Sequence, residues 1–280
     1  MKSIAEFRIP ESYAKEFLPT DFGVGLMGFV RKVKVPVESE MYRRIGEIYK
    51  LVKTRDKKSF IYGWNIQRSY SKKELESAEL LLVKIAKTFE PAGLECGTVY
   101  TTQNACEFCG TGIHQISELI LDLNTVPKYV DIARTISNEI IISQELVNFF
   151  TYNNVTGYKF MPVFHKTPNY RKKNWFQLVN LSFVTVSPEI KTGNDPFDED
   201  EDNEYRCKIG HTVGLNLLSE LSIQRDSWDG NDIVATKELF GVNRGLLRTY
   251  SLLMVSQRLY RLLMEGKFKG FTVEVVKVVS

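Results

Sequence analysis

Ile142-Ser143-Gln144-Glu145-Leu146, followed by Phe149-Phe150 and Gly157-Tyr158-Lys159-Phe160, is a pattern the chain writes twice. It recurs 113 residues later, without a gap, as Val255-Ser256-Gln257-Arg258-Leu259, Leu262-Leu263 and Gly270-Phe271-Thr272-Val273. Apolar positions fall on apolar positions, and the Ser-Gln pair and the Gly return in place. In each copy an apolar run, Glu139 to Ile142 or Leu252 to Val255, reads as a buried strand. Ser143 and Ser256 stand where a helix N-cap belongs, because a Ser oxygen accepts an orphan backbone N–H. Leu146, Phe149 and Phe150 form one apolar helix face, as do Leu259, Leu262 and Leu263. Gly157 and Gly270 suit a turn before the last strand, since Gly adopts positive φ at little cost. Each copy is therefore a strand-helix-strand unit. The competing reading is a chance likeness of two ordinary units, because a single repetition is far short of a repeat array.

A looser likeness extends upstream. Cys106-Glu107-Phe108-Cys109-Gly110 precedes Ser117-Glu118-Leu119-Ile120-Leu121, and Cys207-Lys208-Ile209-Gly210-His211 precedes Ser219-Glu220-Leu221-Ser222-Ile223. The expected fold class is α+β: two pseudo-repeated strand-helix-strand units with cysteine knuckles, behind an N-terminal region of helices and strands. The expected domains are an α+β region over residues 1–95 and a duplicated domain over 96–280. Unit one covers 106–162 and unit two 207–280, with an acidic loop at 195–204 between them.

Composition bounds the function. Over 280 residues, 43% apolar and 12% aromatic content suffices for a sizeable core. A net charge of +3 is too small to argue for nucleic acid by itself. Four cysteines, only two of them closely spaced, do not form a secreted disulfide framework. Met1 to Arg8 lacks the apolar core of a secretory leader, and no window has 18 uncharged apolar residues. A cytoplasmic protein with no membrane partner is expected.

The N-terminal region holds Gly23-Val24-Gly25-Leu26-Met27-Gly28, a GxGxxG match. A dinucleotide site needs a strand before it and a helix after it, whereas Phe29 to Val35 alternates like a strand. Ser39 to Val52 predicts an amphipathic helix and Phe60 to Ile66 a strand. Ser71 with Glu74 has the capping-box spacing and predicts a second helix to about Thr88. The basic residues of these helices read as a solvated face, or else as a docking surface for an acidic partner. Trp175 to Val186 predicts a strand, Trp228 to Asp232 a turn, and Ile233 to Phe240 either a short helix or an extended segment. Asp195 to Glu204 carries seven carboxylates in ten residues and predicts a mobile solvated loop, with no EF-hand spacing for calcium.

Cys106-x-x-Cys109-Gly110 has the geometry of a zinc knuckle: two thiolates reach one ion from one turn, and Gly110 closes the turn. A structural zinc wants four ligands. The second turn offers Cys207, then Gly210 where another Cys is expected, with His211 next to it. The predicted metal ligands are Cys106, Cys109, Cys207 and His211, with Cys96 an alternative fourth ligand and His114 a further fallback. Otherwise the thiols are plain, or the site is a decayed one, and core packing alone holds the fold. A redox pair would want a helix N-terminus after the motif, and Gly110-Thr111-Gly112 reads as a turn.

From about Cys106 to the end, the chain resembles the double-CXXCG-motif family of bacterial immunity proteins, which neutralise polymorphic or contact-delivered toxins. Cys106-Glu107-Phe108-Cys109-Gly110, Cys207-Lys208-Ile209 with Gly214-Leu215, and Leu252 to Ser256 with Gly270-Phe271 carry the resemblance. The two CxxC turns of the family map onto Cys106, Cys109 and Cys207, and Gly210 departs from the pattern. The resemblance implies a non-catalytic protein whose partner is a cognate toxin. With no nucleophile elbow, P-loop or HExxH, the residues offer no competing catalytic motif. A second reading is a zinc-ribbon nucleic-acid binder, on Tyr170-Arg171-Lys172-Lys173-Asn174-Trp175; a third is an enzyme using Cys109 or an open metal position.

Overall fold

The structure is a computed structural model that describes residues 1–168 and 174–280. It is a mixed α+β protein, mostly strands, with six α-helices among the described residues. Two compact units divide the chain. One comprises Met1–Glu74 with Asp195–Glu199, the other Leu75–Asn194 with Asp200–Ser280.

In the first unit, Lys2–Pro10 lies between Val30–Pro36 and Gly63–Ser69 in an antiparallel sheet, with Val24–Leu26 at one edge. The GxGxxG match is thus a β-hairpin, its turn made by Met27 and Gly28 at positive φ, and not a phosphate loop. Helix Glu40–Asp56 is capped by Ser39, whose Oγ accepts from Tyr42 N at 3.2 Å. It buries Ile45, Ile48, Tyr49 and Val52. Gly46 sits mid-helix because the Phe197 ring occupies the place of a side chain: a Cβ there would come within 2.9 Å of it. Phe197 also stacks on Phe7 with 5.4 Å between ring centroids.

This contact corrects the expectation of a mobile acidic loop for residues 195–200, while Glu201 to Glu204 are exposed as a solvated run would be. Asp195 is buried and accepts a hydrogen bond from Tyr49 Oη at 2.9 Å. Asp200 is buried too, holding Tyr205 N and Arg206 Nε, each at 3.1 Å. Phe197 anchors the run where charge counting alone sees only repulsion.

A second correction concerns residues 75–95. The capping box forms as expected, Glu74 N on Ser71 Oγ and Ser71 N on Glu74 Oε2, but its helix is only Lys72–Ser77. Leu80–Ile85 is a strand of the second unit, so the division falls after Glu74 and not at residue 95. Leu80, Leu81, Leu82 and Val83 are all buried: Leu80 and Leu82 join one apolar cluster, Leu81 and Val83 another. A strand covered on both faces reads as a continuous apolar run, which periodicity cannot tell from a buried helix.

The second unit holds two six-stranded sheets. One runs Thr88–Phe89, Ile132–Thr135, Ile140–Ser143, Trp175–Asn180, Tyr158–His165, Leu119–Leu121. The other runs Phe183–Val184, Ile233–Thr236, Leu253–Ser256, Leu80–Ile85, Phe271–Val279, Ser222–Gln224. In both, the outermost pairings are parallel and the three inner ones antiparallel. The expected apolar strands are present, and Ile233 to Phe240 resolves as the strand Ile233–Thr236.

The local bonds also match. Ser143 caps helix Gln144–Tyr152 and Ser256 caps helix Gln257–Glu265, each Oγ accepting from the backbone three residues on, at 3.2 and 3.1 Å. Each Oγ donates in turn to a carboxylate, Asp131 at 3.2 Å and Asp232 at 2.7 Å. In each sheet the fourth strand lies outside the chain segment that supplies the other five. Leu80–Ile85 pairs with Leu253–Ser256 and Phe271–Val279, while Trp175–Asn180 pairs with Ile140–Ser143 and Tyr158–His165. One core cluster consequently draws on both sheets and both helices, with Leu81, Ile142, Leu146, Leu178, Val255 and Leu259 among its buried members.

Candidate metal centre

Two tight turns build the site, both in the second unit. In the first, Gly110 N donates to Cys106 O at 2.8 Å and Cys106 N to Thr111 O at 2.7 Å. Gly110 has φ +70°, which favours glycine, and a Cβ there would meet the Asn243 side chain at 2.4 Å and push it aside. In the second turn, Gly210 N donates to Cys207 O at 2.8 Å and Cys207 N to Thr212 Oγ1 at 2.8 Å.

The turns bring Cys106, Cys109, Cys207 and His211 together, one ligand atom from each, all within 4.8 Å of one another. Cys106 Sγ lies 3.6 Å from Cys207 Sγ. His211 Nδ1 lies 3.6 Å from Cys109 Sγ and 3.7 Å from Cys207 Sγ. A tetrahedral zinc with ordinary bond lengths would separate two sulfurs by about 3.8 Å, and a sulfur from a nitrogen by about 3.6 Å. Three edges of the cluster therefore have the lengths that one small ion would impose. A disulfide is a different geometry, with sulfurs at about 2.05 Å, and all four cysteines are free thiols.

Electrostatics favours metal binding at one thiol from the start. Burial of Cys207 opposes ionisation, but backbone N–H groups of Ile209 and His211 and the thiols of Cys109 and Cys106 donate to its sulfur and pull it down to about 6. Burial pushes the Cys109 thiol up, against a contact with Thr111 Oγ1 at 3.0 Å. A bound cation would outweigh that cost and ionise all three thiols.

Cys96, the alternative ligand, is outside the cluster; it lies near Asp122 and Lys166. His114 lines a cavity beside the first turn instead of facing the sulfurs. His165 pairs with Asp122 at 3.3 Å. The basic-aromatic segment behind the nucleic-acid reading has Tyr170 to Lys173 outside the described residues. The turns' tips expose Phe108 and Ile209, with Lys208 Nζ 5.5 Å from the Phe108 ring centre. Among the described residues no helix is long and apolar enough to cross a membrane. No protein-family model matches the chain, and no curated protein matches it.

Proposed function

We propose that the chain is a non-catalytic immunity protein that binds and neutralises a cognate bacterial toxin, with a structural zinc tying together two duplicated halves. The observation that carries the reading is the closed donor set: three cysteines and one histidine from two turns fill the four positions of a tetrahedral ion. A catalytic zinc keeps one position for water or substrate, so a set of four protein ligands favours a scaffold over an enzyme. Donation from Cys207 and His211 to the same ion as Cys106 and Cys109 accounts for a second turn that lacks its own CxxC.

Duplication is supported by the matched strand orders, the two Ser caps with their Asp partners, and the resemblance of both cysteine turns to the double-CXXCG pattern. A fourth strand drawn from outside its own segment in each sheet makes the halves one folding unit. A rigid scaffold of this kind serves recognition, where shape and a few anchor residues decide affinity.

The test is co-expression with the product of an adjacent toxin-like gene. The expected result is that the two co-purify and that cells carrying the toxin grow only when this chain is present. Co-purification without growth rescue rejects the neutralising role, and one equivalent of zinc in a chain that binds no toxin leaves the scaffold and removes the function.

A further inference from the structure

Between the two sheets of the second unit opens a cleft of about 340 Å³, continuous with a cavity of about 400 Å³ beside the first cysteine turn. Tyr100, Glu139 and Tyr250 line both. Its chemistry is lopsided. The pairing registers place Arg134, Gln177 and Asn180 of the first sheet where the second sheet carries Ala235, Leu82 and Ile85. Arg134 and Asn180 face the cleft, across from Ile85, Val83 and Leu253, whereas Gln177 pairs with Ile141 on the other face of the sheet and bonds Gln115. The connection between the second and third strands differs as well. It is residues 136–139 in one sheet and residues 237–252 in the other, and the longer one brings Arg248 and Tyr250 to the cavity walls.

Two polar atoms in the cleft have no partner. Among the described residues four buried side-chain polar atoms make no hydrogen bond, and Arg134 Nε and Asn180 Oδ1 are two of them. Leaving such atoms unpaired is costly, and a small rotation of either side chain toward the cleft would let an occupant satisfy them. Charge narrows its nature. Arg134 and Arg248 bring two guanidiniums, and each gives hydrogen bonds to protein acceptors from Nη1. The carboxylate in the cleft, Glu139, is already committed: it accepts from Gly93 N, from Tyr100 Oη at 2.6 Å and from Thr135 Oγ1. It fixes Tyr100, and with two guanidiniums against this one carboxylate the walls of the cleft and cavity carry positive charge in excess. The apolar wall fits a hydrocarbon or aromatic body.

We propose that this cleft binds a small organic anion, a carboxylate or phosphate ester with an apolar body. Its oxyanion meets the Arg134 guanidinium, a polar group meets the Asn180 amide, and its body lies against Ile85, Val83 and Leu253. The site is separate from the metal ligands and does not depend on the toxin-binding reading.

The experiment is calorimetric titration of the zinc-loaded full chain with two probes, benzoate and phenyl phosphate, up to about 10 mM because ligands of this size bind weakly. Saturable binding of one equivalent is expected for at least one probe, and the tighter one names the headgroup. Arg134→Gln should weaken it by about tenfold or more, the worth of a charge-assisted hydrogen bond. Asn180→Asp, nearly isosteric, should weaken it comparably by placing a negative charge beside the anion, while Ala235→Ser at the matching position of the other sheet should leave it unchanged. Melting curves establish that each variant is folded; if Arg134→Gln is not, Asn180→Asp decides. Absence of binding by both probes, or equal affinity in the folded variants, overturns the proposal.

Discussion

Gly157 lies against the Ile233 backbone so closely that a Cβ on it would come within 2.0 Å of the Ile233 carbonyl oxygen. Gly270 stands in the same relation to Ile132 O, at 2.2 Å. Both have positive φ, +92° and +111°. Each turn thus presses on the second strand of the opposite sheet, and Ile233 N closes the contact by donating to Thr156 O at 3.0 Å. Gly157→Ala should cost about 3 kcal/mol or more, since it adds a backbone clash to the strain of positive φ. Gly230→Ala is the control: φ is +82° with nothing within 4 Å, so only the conformational cost of about 1–2 kcal/mol remains. Urea denaturation measures both, and equal losses would mean that the close approach is not what the glycine serves.

The metal reading predicts one zinc per chain in the purified protein. Cys106→Ser and Cys207→Ser, one in each turn, should both release it and lower stability by about 5 kcal/mol or more, roughly 10–20 °C in Tm, because structural zinc contributes its binding energy to folding. Cys96→Ser should keep the metal and most of the stability. Elemental analysis with thermal melts checks this. A chain that melts identically with and without Cys207 stands on its apolar core alone.

Asp232 is buried and accepts three bonds: from Ser256 Oγ at 2.7 Å, from Arg258 Nη1 at 2.6 Å and from Thr156 N at 3.3 Å. It orients the hydroxyl that caps the following helix and ties in the turn before Gly157. Asp232→Ala should therefore cost about 1–3 kcal/mol, since it leaves the buried Ser256 hydroxyl without its acceptor, while Thr156 and Arg258 are exposed. The Arg258 side chain is 52% exposed, so Arg258→Ala should cost under about 1 kcal/mol. Chemical denaturation of the two variants separates cap orientation from ion pairing; similar losses would assign the energy to the pair.

Much of this was written locally in the chain. The Ser caps and the apolar helix faces recur at fixed spacing because each serves the helix it belongs to, and a hydroxyl that both accepts from an N–H and donates to an Asp has few substitutes; the two glycines recur as well, although what requires them is a strand of the opposite sheet. The four clustered ligands were also legible, since in each turn a glycine that permits the bend stands beside a ligand, Gly110 after Cys109 and Gly210 before His211. What stayed hidden is long-range. Leu80–Ile85 gives no sign that it pairs with strands roughly 170 to 200 residues away, and its apolar run Leu80 to Val83 matches helix and strand alike. The acidic run hid Phe197, one aromatic that packs on Phe7, Tyr42 and Tyr49. Arg134 drew no notice within Ile132-Ala133-Arg134-Thr135, although Ile233-Val234-Ala235-Thr236 marks it as the position where the two segments part.

The last prediction concerns acid. Lys166 Nζ, 2.8 Å from Asp122, together with the backbone N–H and side-chain amide of Asn124, both at 3.1 Å, holds the Asp122 carboxyl down at about 2. The folded pKa is thus below that of a free Asp, about 3.9. A depressed carboxyl contributes stability that is fully present above its unfolded pKa and is lost as pH falls through the folded one. The difference in stability between the native chain and Asp122→Asn should accordingly shrink between about pH 4 and pH 2. Because Lys166 is half exposed, the difference should also fall as salt is raised. Melting temperatures of the pair across that range test it: a difference that persists unchanged at pH 2 would mean that Asp122 acts through packing and not through its charge.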